Sequence, residues 1–119
     1  MQERRKFPRA EYPCKIAIAA EKQREEFTLH TENISSGGAR VILPKSLQIN
    51  MPAMIEISIG DKNIQTKGRV VWVLEVKAPA KAGASHLFDT GIEFTQLNPD
   101  DKEFLSRLIA DLLEQGKQA

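Results

Sequence analysis

The sequence predicts a mainly β domain, a six-stranded antiparallel barrel with one C-terminal α-helix against it. Three observations support this. Six segments alternate apolar and polar residues at a period of two, the pattern of half-buried strands. Their connections are mostly short and rich in turn residues, as in small closed sheets. The end of the chain then switches to helical spacing.

In "YPCKIAIAA", Tyr12, Cys14, Ile16 and Ile18 share one face of a first strand. In "EEFTLHTENI", residues 25–34, Phe27, Leu29 and Thr31 oppose Thr28, His30 and Glu32 in a second. "GGARVIL" sets Ala39, Val41 and Leu43 on one side, and "AMIEISI" does the same with Ile55, Ile57 and Ile59. "GDKN" is a turn signal. The long "NIQTKGRVVWVLEV" reads as a bent strand, with Gly68 as the expected bulge or kink. After the small-residue loop "KAPAKAGASH" comes a sixth short strand, "DTGIEF".

The helix is expected over residues 98–116. Asn98 suits the N-cap, Pro99 the first helical position, and Asp100 and Asp101 the positive end of the helix dipole. Phe104, Leu105, Leu108, Ile109, Leu112 and Leu113 form one apolar stripe, which must cover something apolar, and Gly116 offers a stop. The whole reads as an N-terminal arginine-rich arm, residues 1–11, and a barrel with its helix, residues 12–119.

A chain of 119 residues suffices for one domain with a real core. No apolar run approaches the roughly 20 residues that span a bilayer, and no apolar stretch follows the basic start as in a signal peptide. A single cysteine excludes an internal disulfide and a cysteine-based zinc site. The expected compartment is the cytoplasm. A net charge of +1 argues against a general nucleic-acid or membrane binder. His30 and His86 stand apart from any ligand-spaced partner, and no set of acid, base and nucleophile converges, so neither a metal site nor an enzyme is expected.

Two stretches stand out from this ordinary background. "RRKFPR", residues 4–9, concentrates positive charge in an otherwise almost neutral chain. Arginine offers a planar fork of donors for a phosphate or for the O6/N7 edge of guanine. Pro8 pushes Phe7 out of the helical region, so Arg5 and Arg9 are expected on extended chain, about 13 Å apart. That spacing suits different groups of one ligand. Alone, the block reads first as a solvated tail.

The second stretch is "ENISSGGAR", residues 32–40. Asn33 and Ser35 leave an extended backbone on the same face. Gly37 and Gly38 permit positive φ and the approach of a ligand to bare N–H groups. Alone, these residues are ordinary turn formers. They also make an N-glycosylation sequon, for which no secretion signal speaks.

Together, Arg-x-x-x-Arg (Arg5, Arg9) and Asn-x-Ser-x-x-Gly (Asn33, Ser35, Gly38) resemble the two motifs of the PilZ domain, a bacterial receptor for cyclic di-GMP. The resemblance covers nearly the whole chain, including "GIEF" and the closing helix. It implies a six-stranded barrel with the first motif on a mobile arm and the second on the barrel surface. It also implies that Arg5 and Arg9 clamp phosphates and guanine edges, that Asn33 and Ser35 read a base, and that Gly38 shapes the turn. Arg4 extends the first motif to Arg-Arg-x-x-x-Arg, a variant associated in the family with an intercalated pair of ligands. Trp72 resembles an aromatic position that lies against a guanine in some members; its other reading is a core or lid aromatic. Arg40 and Arg69 read as surface charges that could assist a phosphate. The function so implied is a non-enzymatic receptor, with no cofactor beyond the ligand, that signals to a partner protein in motility or biofilm control. The alternative is a PilZ-like interaction adaptor that binds no nucleotide.

Overall fold

The computed structural model describes residues 14–20, 25–77 and 86–118 of the chain. The arm with Arg4, Arg5 and Arg9, Tyr12, and the loop from residue 78 to 85 lie outside the described residues. Seven strands and one helix follow in order: β1 (Lys15–Ala20), β2 (Glu25–His30), β3 (Asn33–Ile34), β4 (Gly38–Leu43), β5 (Pro52–Ile59), β6 (Lys62–Lys77), β7 (His86–Phe94) and α1 (Pro99–Gln118).

All pairings are antiparallel, in the order β2-β1-β5-β6-β7-β4-β3. The two edge strands, β2 and β3, are consecutive in the chain. The expected second strand, residues 25–34, thus bends at Thr31 and Glu32, leaving β1 to join β4. Six expected strands become seven for this reason. The bend is pinned on both sides. Thr31 N donates to Cys14 O at 3.0 Å, and Glu32 N donates to Arg40 O at 2.8 Å. One segment therefore curls the sheet into a barrel-like half-shell.

Alternation places the core where the pattern predicts. Ile16, Ile18, Ala39, Val41, Leu43, Ile55, Ile57 and Ile59 are buried, joined by Ile64, Val70 and Ile92 from β6 and β7. Leu105 and Ile109 of α1 are buried as well, and Phe104 and Leu108 pack partly against the same core. Removing apolar area from water at roughly 25 cal/mol per Å² is what holds such a shell to its helix. Asn98 caps α1 as expected. Its Oδ1 accepts from Asp101 N at 2.8 Å, and its Nδ2 donates to Asp101 Oδ2 at 2.9 Å. Lys62 ties the first turn back to the sheet through Asp101 at 3.0 Å. The helix runs two residues beyond Gly116.

Gly68 departs from expectation. It keeps regular register, opposite Ala53 and Phe94, and the bulge falls at Val71, between Val70 and Trp72. Gly68 is needed for space instead. A Cβ there would stand 2.5 Å from Ile55 Cδ1 and 2.7 Å from the Glu93 carbonyl oxygen.

No helix among the described residues is long and apolar enough to cross a membrane. No group of three or more His, Cys, Asp or Glu residues that could hold a metal ion occurs among them either.

Candidate functional site

The bulge at Val71 decides what the outer face displays. Before it, even-numbered residues of β6 point inward, with Ile64, Thr66 and Val70 all buried. After it the parity inverts, so Val73 turns to the core and Trp72 turns out. A bulge re-aims side chains in just this way. Trp72 then falls in register with Gly91, which pairs with Arg40, which pairs with Asn33. One row across β3, β4, β7 and β6 thus reads Asn33, Arg40, Gly91, Trp72. Directly opposed residues share a face of the sheet, so all four face outward. The neighbouring row, Ile34, Ala39, Ile92 and Val70, is buried beneath.

Gly91 makes this row a shelf. A Cβ on Gly91 would run into the indole of Trp72, at Nε1, Cε2 and Cδ1. The ring therefore lies across the bare backbone of β7 and leans toward Arg40. Neither Gly91 nor its partnership with Trp72 was identified from the sequence. A glycine inside the strand pattern "DTGIEF" was the available sign, since such a residue marks close approach.

The motif turn is built differently from expectation. Ser35 is buried, 1% exposed. Its Oγ accepts from Gly37 N at 3.0 Å and Gly38 N at 3.1 Å, and lies 3.3 Å from the Gly38 carbonyl oxygen, to which it donates. Ser35 N also donates to Gly38 O at 2.8 Å. The two glycine N–H groups expected as open donors are thus taken by the serine hydroxyl. Nor do these glycines adopt positive φ; Gly60 is the glycine that does so among the described residues. Gly38 is required for contact, because a Cβ there would collide with the Ile92 carbonyl oxygen of β7. Asn33 is largely buried at the start of the same turn.

Charges on this face are paired. Arg40 Nε donates to Asp89 Oδ1 at 2.7 Å, and Arg69 Nε lies 3.3 Å from Glu93 Oε1. Cys14 is a core residue, as its face predicts. Its Sγ lies 3.4 Å from Thr31 Oγ1 within hydrogen-bonding reach, and burial pushes its thiol up from the ordinary value, keeping it protonated and inert. His30 is exposed, and His86 pairs with Glu75 at 2.5 Å.

With this geometry in place, the fold and sequence pattern find their family. The PilZ domain model matches residues 3–111, and the chain belongs to that family. No curated protein sequence matches it. Among solved structures it is similar to the Inhibitor of motility (MotI/DgrA) of Bacillus subtilis, with 19% identity and a TM-score of 0.76 over 96% of this chain and 53% of that one. It is also similar to the PilZ domain of YcgR from Escherichia coli, solved with c-di-GMP, at 18% identity and a TM-score of 0.72, covering 98% of this chain and 96% of that one. A third is the MrkH–c-di-GMP complex of K. pneumonia, at 16% identity and a TM-score of 0.71 over 99% of this chain and 56% of that one. The chain therefore spans about half the length of MotI and MrkH.

Proposed function

We propose that this domain binds cyclic di-GMP between its arginine arm and the outer row of β3, β4, β7 and β6, and that the arm, drawn onto the barrel, presents a surface to a partner protein. In this reading Arg5 and Arg9 clamp the ligand, Arg4 serves a second, intercalated ligand molecule, Asn33 contacts a base, and Trp72 supplies a stacking face. Ser35 and Gly38 build the turn that holds Asn33 in place. The domain is a receptor and not an enzyme, and it acts in the cytoplasm.

The observation that carries the reading is the tie between Cys14 and Thr31. Thr31 N donates to Cys14 O, so the chain leaves the described sheet within two residues of Asn33. Arg9 is five residues from that anchor, a reach of at most about 17 Å in extended chain. Both motifs, 24 positions apart from Arg9 to Asn33 in sequence, can therefore meet at one site. The YcgR and MrkH structures solved with c-di-GMP support the choice of ligand.

Calorimetric titration with cyclic di-GMP, and with GTP as control, tests the proposal. A stoichiometry near two supports the paired mode and the role of Arg4; near one keeps the receptor and removes that role. Losing a bidentate arginine–guanine contact costs roughly 1–3 kcal/mol, about 5- to 150-fold in affinity. Arg5→Ala and Arg9→Ala should each weaken binding by that much, while Lys81→Ala leaves it unchanged. Absence of binding would make the domain a protein-docking adaptor.

A further inference from the structure

Arg40 belongs to neither motif, yet it occupies the middle of the outer row, between Asn33 on β3 and Gly91 on β7. Its setting is more than that of a solvated surface charge. Asp89 lies two positions from Gly91 on β7, on the same face, and receives the Arg40 Nε–H at 2.7 Å. The Asp89 side chain is only 12% exposed, whereas that of Arg40 keeps 37%. A carboxylate held under the surface thus grips the side edge of the guanidinium. Because the guanidinium is a rigid planar fork, gripping Nε fixes the direction of the end that carries the two Nη groups.

That orientation matters because of what lies beside it. Adjacent strands are about 4.8 Å apart, so Arg40 is two strands, or roughly 10 Å, from Trp72, and the indole leans over Gly91 into that gap. A base stacked on the indole lies parallel to it and turns its edge, not its face, to Arg40. Guanine offers two acceptors there, O6 and N7, matched to an arginine fork; adenine replaces O6 with an N–H donor. Ser35 does not present its hydroxyl for such reading, since the turn uses it. We infer that Arg40 reads the O6/N7 edge of a guanine stacked on Trp72, and that Asp89 is its positioning residue. This rests on the cyclic di-GMP reading above and assigns the base discrimination of that site to strand β4.

The experiment is titration of the full chain with cyclic di-GMP, and with cyclic di-AMP by displacement so that a weak competitor still yields a constant. Parent, Arg40→Ala, Arg40→Lys, Asp89→Asn and the Arg40→Ala/Asp89→Asn double variant are compared, with thermal melting as the check on folding. Arg40→Ala should weaken cyclic di-GMP by about 5- to 150-fold and leave cyclic di-AMP nearly unchanged. Arg40→Lys keeps the charge but not the fork and should lose the same discrimination. Asp89→Asn should weaken cyclic di-GMP in the parent and add nothing in the Arg40→Ala background, where a merely structural role would still add its loss. Equal losses for both nucleotides would make Arg40 a phosphate contact and overturn the inference, as would unchanged cyclic di-GMP affinity in Arg40→Ala. If the parent itself binds no cyclic di-GMP, the proposed function and this inference fall together; if the parent binds and only these variants are silent, the inference alone falls.

Discussion

The two outer faces of the barrel are built on the same alternation and the same kind of core, yet they display opposite chemistry. On the β1–β5 side, Ala17 and Ala19 floor a shallow groove whose rim carries Glu26, Thr28, Met54 and Glu56. On the β4–β7 side, the row is an amide, a guanidinium, a bare glycine and an indole. The inner faces are alike because both must fill one core with branched aliphatics. The outer faces are free to differ, and the difference is what the proposed binding of an anionic, planar ligand on the second face would use. Small residues on the first side leave room that carboxylates make hostile to phosphate. The glycine on the second side leaves room that an aromatic ring fills.

Trp72→Ala should break this comparison most severely. Stacking of a base on an aromatic side chain is worth roughly 1–3 kcal/mol, so cyclic di-GMP affinity should drop by about 5- to 150-fold. Met54, 43% exposed on the other face, is the matched control. Met54→Ala should leave the titration unchanged. Equal losses from the two substitutions would mean that the ligand does not distinguish the faces, and the row would lose its special standing.

A smaller effect is expected from Gly91→Ala, which sharpens the comparison. The added methyl meets the Trp72 side chain and not a backbone, so the ring can yield. Stability should therefore fall by less than the roughly 1–3 kcal/mol of forced overpacking. The indole should swing outward, and ligand affinity should lose a fraction of what Trp72→Ala loses. Trp72 is the only tryptophan, so its fluorescence reports the displacement directly. An unchanged emission spectrum would show that the ring does not rest on Gly91. By contrast, Gly38→Ala drives its methyl into the backbone carbonyl of Ile92, which cannot swing aside.

Much of this was legible in the sequence, and the reasons for the rest are physical. Ile16 and Ile18, Ala39 to Leu43, and Ile55 to Ile59 recur at every second position, so period alone assigns their burial, although Ala17, Ala19 and Ile42 make the opposite face only partly polar. The Asn98 cap follows from side-chain chemistry within four residues. The bulge was hidden because Val70, Val71, Trp72 and Val73 are all apolar; an inversion of parity leaves no trace in such a run. Gly68 drew attention as the local irregularity, although its need for space arises from Ile55 and Glu93, distant in sequence. The division of residues 25–34 into two strands depends on Cys14 and Arg40 pulling the bend from opposite sides. The Arg40–Asp89 pair joins positions 49 apart and becomes visible only once β4 and β7 are in register.

The smallest effect is expected on the acidic face, and a null result there is informative. Glu56 Oε2 accepts from Gln65 Nε2 at 3.1 Å, and Gln65 lies seven positions from Trp72 along β6, about 23 Å at the usual rise. Screening at physiological salt has a length of about 8 Å, so this carboxylate should be electrostatically silent at the outer row that holds Trp72. Glu26 lies on β2, three strands from β6, roughly 14 Å before any displacement along the strands. Glu26→Gln and Glu56→Gln should therefore leave cyclic di-GMP affinity within about twofold at 0.15 M salt. A marked gain in affinity would mean that the carboxylates compete with the ligand for a common cation. The two faces would then be alternatives for one cation, and their opposite chemistry would be a switch instead of a simple division of surface.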